Sequence, residues 1–309
     1  MPLERVATTN SAAMTAPLRG EGHVLLGDPE YGRMKRDVAA AYNRAARSYD
    51  QVGTRRFRHF GSELVDGLEV PPAAKVLDLA TGRGAILFAL AERLGPDGLV
   101  VGADLAREMV VQSAVEARRR EVTNAAFLAM DADALAFAPE RFDIVTCGFA
   151  LFFVDFDHVL PELHRVLKPG GMLAVSVNHS PADPREYERW KWLFSLLREA
   201  MGPGFRPPPA CTAPMRLGTR ERLAAALERA GFVDIRLDTT EATLYFADEE
   251  DWWRHELSQG SRMWADGMSE SARERYRQGA FARLREMKED AGIRVVDGAM
   301  FAYARKPEP

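Results

Sequence analysis

Cysteine is scarce in this chain of 309 residues, which contains only Cys147 and Cys211. Two cysteines so far apart do not supply a disulfide framework, and the six histidines show no ligand spacing, so we expect no metal site. This usage is typical of a reducing compartment such as the cytoplasm. Cys147 lies in a predicted buried strand, where apolar neighbours raise the pKa of a thiol, and it is therefore a poor nucleophile.

Long apolar runs and an excess of basic charge are also missing. No uninterrupted run reaches the ~20 residues of a membrane-spanning helix, and residues 1–15 lack the apolar core of a secretion signal. The net charge is −4, which disfavours nucleic acid as a partner. The basic runs 55–56 and 118–120 are interpreted as solvated helix faces. We therefore expect a cytoplasmic protein with a small-molecule partner, and its assembly into a homo-oligomer is left open.

The most informative segment is Val76–Gly84, where an apolar strand containing Asp78 leads into a glycine loop and then a run of helix formers. Glycine suits a sharp strand-to-helix turn that passes close to a ligand. Asp104 follows about 20 residues after Gly84, where the next strand of a βαβ unit ends and an acid binds a ribose diol. The pattern predicts a Rossmann-like domain that binds a cofactor containing adenosine.

Two common phosphate-binding patterns fit this loop poorly. The dinucleotide fingerprint has a third small residue at a position that Leu87 occupies here, which weakens the case for a pyrophosphate and for an NAD-dependent oxidoreductase. No lysine follows the glycines, so the P-loop pattern also fails. Arg83, between the glycines, is expected to point into solvent and is assigned no role.

The segment Asp78–Gly84 resembles the first motif of class I S-adenosylmethionine-dependent methyltransferases. The resemblance continues in order over Asp104, Met130–Ala132, the strand Phe142–Cys147, and the helix end and turn Leu163–Gly171. It is strongest toward methyltransferases of ubiquinone and menaquinone biosynthesis and small-molecule enzymes of bacterial secondary metabolism, and it covers roughly residues 33–305. It implies S-adenosylmethionine as the cofactor, S-adenosylhomocysteine as the product and no metal.

Alternating apolar segments predict an α/β fold with a parallel sheet and helices on both faces. After the fifth strand the pattern predicts helices over 184–200 and 248–266 and strands over 232–238 and 242–246. The resemblance implies a Rossmann-like sheet of seven strands, the last one antiparallel and beside the fifth. We divide the chain into a disordered tail (1–28), an N-terminal helical lid (29–70), a cofactor-binding core (71–180), a helical substrate cap inserted after the fifth strand (181–218), and the C-terminal part of the core with inserted helices (219–309).

The resemblance assigns cofactor contacts to the loops that follow the first four strands. Asp104 is expected to bind the ribose, and Asp78 to order the loop and the amino group of the cofactor. Asp131 is expected to bind the adenine amino group, with Asp133 as a competing candidate. The expected cofactor-binding residues are Tyr49, Asp78, Ala80, Gly82, Gly84, Asp104, Leu105, Met109, Asp131, Ala132 and the backbone at Cys147.

The acceptor side departs from the family pattern. Many related O-methyltransferases have a histidine just after the fourth strand, whereas this chain has aromatic residues there. We therefore expect an apolar or aromatic acceptor, held by Phe149, Phe152, Phe153 and Trp190. His179, just after the fifth strand, is the candidate general base. The atom that receives the methyl group, whether O, N or C, stays open.

Three functions are weighed beside methyl transfer. A catalytically silent scaffold or regulator would keep the cofactor motifs but lack turnover. An enzyme of this fold that also promotes cyclisation would keep both the motifs and the pocket. An NAD-dependent oxidoreductase is disfavoured by Leu87 and by the absence of a recognisable Ser/Tyr/Lys hydride-transfer arrangement.

Overall fold

The computed structural model describes residues 28–202 and 219–309. Seven strands form one sheet in the order β3-β2-β1-β4-β5-β7-β6. The strands are β1 (Lys75–Leu79), β2 (Leu99–Asp104), β3 (Ala125–Ala129), β4 (Phe142–Gly148), β5 (Leu167–His179), β6 (Val233–Phe246) and β7 (Ile293–Arg305). Strands β1 to β5 pair in parallel, and β7 is antiparallel between β5 and β6. The predicted α/β fold and its antiparallel last strand beside the fifth are confirmed.

Helices connect and cover these strands. They are α1 (Pro29–Ala45), α2 (Arg56–Asp66), α3 (Ala85–Ala91), α4 (Arg107–Arg119), α5 (Phe156–Val166), α6 (Pro184–Trp190), α7 (Trp192–Met201), α8 (Arg220–Arg229), α9 (Glu249–Glu256), α10 (Arg262–Asp266) and α11 (Glu270–Met287). Within the described ranges no helix is long and apolar enough to cross a membrane. The expected tail, except Asp28, and the proline-rich part of the cap with Cys211 lie outside the described residues.

Several predicted boundaries are wrong. We expected two strands over 232–246, but β6 is continuous because it pairs with β7 along its length, from Val233 opposite Arg305 to Phe246 opposite Ile293. The helix expected over 184–200 is divided at Lys191 into α6 and α7. The helix expected over 248–266 is interrupted after Glu256 and resumes at Arg262.

The lid contains two helices that pack differently. Helix α2 buries Phe60, Leu64 and Val65 completely, against the apolar face of α3. A chain that began near Pro71 would lack this layer of the core. The boundary drawn at residue 70 therefore cuts through the core, and only α1 with residues 46–50 forms a separate cover.

Of the basic pair 55–56, Arg55 is exposed as expected, whereas Arg56 is not part of a solvated face. The side chain of Arg56 is only 12% exposed, and its Nε atom lies 2.7 Å from a carboxylate oxygen of Asp297. Its Nη1 atom donates a hydrogen bond to Asn178, and the guanidinium group lies over the ring of Phe149. Arg56 thus joins α2 to the end of β5 and to β7.

Candidate functional site

The glycine loop between β1 and α3 adopts left-handed backbone conformations that other residues rarely take. Gly82 has φ of 53° and Gly84 has φ of 81°. A Cβ atom on Gly84 would lie 2.7 Å from the ring of Phe88. Ala80 also has positive φ, 54°, on the strand side of the turn. Strained backbone of this kind is typical of a turn shaped around a ligand.

Asp104, at the end of β2, ties this loop to helix α4. One carboxylate oxygen accepts a hydrogen bond from the amide of Gly82 and the other from the amide of Ala106, both at 2.8 Å. Burial raises the pKa of Asp104 to about 6. The carboxylate lines a cavity beside the loop, so a hydrogen-bond donor placed there would favour its ionised form.

Asp78 lies beneath the loop rather than on its surface. It accepts hydrogen bonds from the hydroxyl groups of Thr81 at 2.6 Å and Thr146 at 2.7 Å. Burial raises its pKa to about 6. These contacts connect the turn to β4, which supports the role of Asp78 in ordering the loop.

Two chambers lie at the carboxyl edge of the parallel strands. The first chamber, about 60 Å³, lies over the glycine loop and contains Phe57 and Arg58. The second chamber, about 100 Å³, lies beside Asp104 and contains Met109 and Asp131. Tyr49 lines both. Each is smaller than the roughly 300–1,000 Å³ of typical ligand pockets, so the cover over them has to shift before a large ligand enters.

Tyr49 closes the boundary between the chambers. Its ring stacks on Phe57 at 5.1 Å between centroids and meets the edge of Tyr42 at 5.7 Å. A Cβ atom on Gly82 would lie 3.3 Å from this ring, so Tyr49 lies directly over the loop. Burial raises its pKa well above the ordinary value. The phenol is therefore neutral and a poor base.

Helix α1 is attached to the loops that follow β3 and β4. The Lys35 ammonium lies 2.5 Å from carboxylate oxygens of both Asp131 and Asp133. The Tyr31 hydroxyl donates to Asp133 at 3.0 Å and accepts from the amide of Asp155 at 2.9 Å. Sequence reasoning missed Lys35, because a lysine on an amphipathic helix carries no signal beyond an exposed position.

Helix α2 places a second basic side chain over the first chamber. Asp50 accepts hydrogen bonds from the amides of Phe57 and Arg58, and so caps the first turn of this helix. Burial raises the pKa of Asp50 to about 6. The Arg58 side chain is exposed, lines the first chamber, and forms no hydrogen bond or ion pair with any described residue. Nothing in the local sequence distinguishes Arg58 from its basic neighbours.

Arg83 does not point freely into solvent as expected. Its guanidinium donates hydrogen bonds to the carbonyl oxygens of Ala46 at 2.9 Å and Arg47 at 3.1 Å. It thus connects the glycine loop to the residues that follow α1.

Most of the residues expected at the cofactor site line the two chambers. They are Tyr49, Asp78, Ala80, Gly82, Gly84, Asp104, Leu105, Met109, Asp131 and Ala132. Phe149 lines both chambers, and Phe153 lines the second. The side chain of Cys147 packs in the core, as expected for a buried strand, and burial raises the pKa of its thiol. The expected role of the backbone at Cys147 stays a prediction.

Two of the expected acceptor residues and the candidate general base lie elsewhere. Phe152 is only 3% exposed and packs in the core beneath Phe153, because consecutive residues of the short helix 151–153 point in different directions. Trp190 packs against Phe246 and Trp192 in a separate apolar cluster. His179 is paired in the β5–β7 ladder and lines neither chamber. No group of acidic, histidine and cysteine side chains suited to a metal is found in the described part of the chain.

Comparisons with known proteins agree with this geometry. The model of a methyltransferase domain matches residues 72–198. Nocamycin O-methyltransferase from Saccharothrix syringae is 33% identical over 204 residues, which span 63% of this chain and 72% of that protein. A demethylmenaquinone methyltransferase from Geobacillus kaustophilus is 27% identical over 227 residues, spanning 65% and 90%.

Among solved structures, the 4+2 cyclase SpnF matches with a TM-score of 0.54 at 18% identity, covering 88% of this chain and 94% of that chain. A likeness at this level of identity speaks for the fold alone. The matched domain contains the glycine loop, Asp104 and Asp131, and the relative from Saccharothrix extends the match over most of its own length. The chain therefore belongs to the S-adenosylmethionine-dependent methyltransferases of the small-molecule type.

Proposed function

We propose that the chain methylates an apolar or aromatic small molecule at an aromatic cluster beside the two chambers. The cluster consists of Tyr42, Tyr49, Phe57, Phe149 and Phe153. Its rings contact one another at centroid distances between 5.1 and 5.9 Å. This cluster is the observation that carries the proposal, because it borders both chambers and offers an acceptor mainly apolar contacts.

The residues of the second chamber fit the adenosine part of the cofactor. Met109, Met130 and Leu105 supply apolar walls for a planar ring. Asp104 supplies the acceptor oxygens for a ribose diol, and Asp131 supplies an acceptor for an exocyclic amine. Both acids line this chamber.

The residues of the first chamber fit the amino-acid part of the cofactor. The loop residues Gly82 and Gly84 leave room for backbone to approach a ligand, and Asp78 lies beneath them. Arg58 supplies a guanidinium that no described residue pairs, and a carboxylate is its natural partner. We therefore assign Arg58 to the α-carboxylate of S-adenosylmethionine.

When bound, S-adenosylmethionine supplies a methyl group already activated by its sulfonium. The protein then chiefly aligns the acceptor and excludes water. The aromatic cluster suits both tasks, and its ring faces also attract a cation. Because His179 lines neither chamber, the preferred acceptors are those that need no base from that side chain.

The test measures cofactor binding and turnover separately. Calorimetry with S-adenosylhomocysteine and with NAD is expected to show binding of the first only. Incubation with S-adenosylmethionine and a panel of aromatic phenols, acids and amines, followed by detection of S-adenosylhomocysteine, is expected to find turnover among the uncharged or singly charged apolar acceptors. Tight NAD binding would contradict the cofactor assignment. Turnover confined to highly charged acceptors would contradict the acceptor assignment.

A further inference from the structure

Lys35 lies where α1 meets the second chamber. Its ammonium contacts both carboxylate oxygens of Asp131 and one oxygen of Asp133, each at 2.5 Å. Lys35 and Asp131 line the second chamber together. The side chains of Lys35 and Asp133 are 16% and 4% exposed, whereas that of Asp131 is 38% exposed.

The hydrogen bonds of the Lys35 ammonium are directed to these two acids. An ammonium group has three N–H donors and no acceptor, and its hydrogen bonds to described residues all end on carboxylate oxygens of Asp131 and Asp133. Because the ammonium is oriented toward both acids, we expect its effect on a ligand that binds Asp131 to pass through that carboxylate.

Asp131 depends on Lys35 for its orientation. Its other hydrogen bond to a described residue comes from the amide of Asp133 at 3.0 Å. A carboxylate that is more than a third exposed gains hydration by turning toward water, and an ion pair with a largely buried ammonium opposes that turn. The second acid, Asp133, accepts a hydrogen bond from the Tyr31 hydroxyl. Its contact with the Lys35 ammonium therefore holds the ammonium in place from the side opposite Asp131.

We propose that Lys35 is a specificity-determining positioning residue, which holds the Asp131 carboxylate in the second chamber so that the site selects an amino-bearing purine over an oxo-purine. An exocyclic amine donates to the carboxylate. An exocyclic oxygen in the same place presents an acceptor to an acceptor, so no hydrogen bond forms between the two groups. This inference rests on the proposed binding of the adenosine part in the second chamber.

The experiment compares S-adenosylhomocysteine with S-inosylhomocysteine by calorimetry on the full chain. The second ligand has an oxygen in place of the exocyclic amine and, with it, a hydrogen on N1 of the purine. Wild type is expected to prefer the first by about 30-fold or more, which is within the range that one hydrogen bond to a charged group contributes. In Lys35→Met, the affinity for S-adenosylhomocysteine should fall about tenfold and that for S-inosylhomocysteine less than about threefold, because only the adenine form uses the held carboxylate.

Controls separate positioning from a loss of structure. Arg33→Met removes a charge from an exposed position of the same helix and should leave the ratio of the two affinities unchanged. Asp131→Asn should lower the ratio of the two affinities as Lys35→Met does. The double variant Lys35→Met/Asp131→Asn should lower this ratio no further than either single substitution, since both act through one carboxylate. Lys35→Arg keeps a charged donor and should restore part of the preference.

Two outcomes contradict the inference in different ways. An equal loss of affinity for both ligands in Lys35→Met, or additive losses in the double variant, would show that Lys35 only stabilises the closed cover. Failure of the wild-type chain to bind S-adenosylhomocysteine would overturn the proposed function and this inference with it.

Discussion

Replacing Asp104 by asparagine changes two kinds of contact at once. In the structure both carboxylate oxygens accept backbone hydrogen bonds, from Gly82 and Ala106. An asparagine side chain has one acceptor oxygen, so its NH₂ group must face one of these two N–H groups. The same substitution removes the negative charge of the carboxylate that would accept hydrogen bonds from the ribose hydroxyl groups.

The size of the effect follows from these contacts. Hydrogen bonds to a charged group contribute about 1.5–3 kcal/mol each, and the diol competes with water for the same oxygens. We expect the affinity of Asp104→Asn for S-adenosylhomocysteine to fall by about 2–3 kcal/mol, which is roughly a 30- to 150-fold rise in Kd. The free energy of unfolding should change less than the free energy of binding, because removing a buried charge is favourable and offsets part of the lost hydrogen bonding to the backbone.

The pH dependence provides an independent measure. Burial raises the pKa of Asp104 to about 6 in the protein without ligand, and a diol that donates to the carboxylate favours the ionised form. Binding therefore releases a proton, and the affinity of wild type should fall as pH decreases through about 6. Above that pH the affinity should be level. The slope should be shallower in Asp104→Asn, with Asp78 and Asp50 as the remaining groups of similar pKa.

The assay is titration calorimetry at several pH values, with Asp143→Asn as the matched control. Asp143 begins the opposite end of β4, where it accepts hydrogen bonds from Lys75 and Lys168, far from the chambers. Its loss should leave the affinity unchanged. A folded Asp104→Asn protein that binds S-adenosylhomocysteine within about threefold of wild type would refute the assignment of this carboxylate to the ribose.

Three further substitutions test the remaining assignments. Arg58→Gln should lower the affinity for S-adenosylhomocysteine about 5- to 30-fold in calorimetry and leave the affinity for methylthioadenosine, which lacks the carboxylate, unchanged. Equal losses of affinity for both ligands would contradict the contact of Arg58 with the carboxylate. Phe153→Ala should raise the KM for the acceptor about tenfold and change the Kd of the cofactor product little, whereas Phe152→Ala should instead lower the stability by about 3–5 kcal/mol in denaturant unfolding, because its ring is buried in the core. His179→Ala should keep kcat within about threefold of wild type, and a loss of about 10²–10⁴ would identify it as the general base after all.

Local sequence signals determined the central part of the fold. A short stretch of sequence is enough to predict β1, β2 and the glycine turn between β1 and α3. Buried strands and left-handed turns each produce a residue pattern within a few positions. The acids at Asp78 and Asp104 stand at fixed distances from those glycines. The position of the antiparallel last strand beside the fifth came from the family resemblance, and the order of the strands in the sheet came only from the structure, because a strand's own residues do not specify its neighbours.

Tertiary structure alone decided what covers the site. Lys35 and Arg58 look like ordinary basic residues of amphipathic helices, and only the packing of α1 and α2 brings them to the two chambers. Trp190 and Phe152 are aromatic residues near a predicted pocket, yet packing places both in apolar clusters instead. The hydrophobicity of a side chain predicts that it is buried. It does not predict which residues it packs against, because those residues are distant in the sequence.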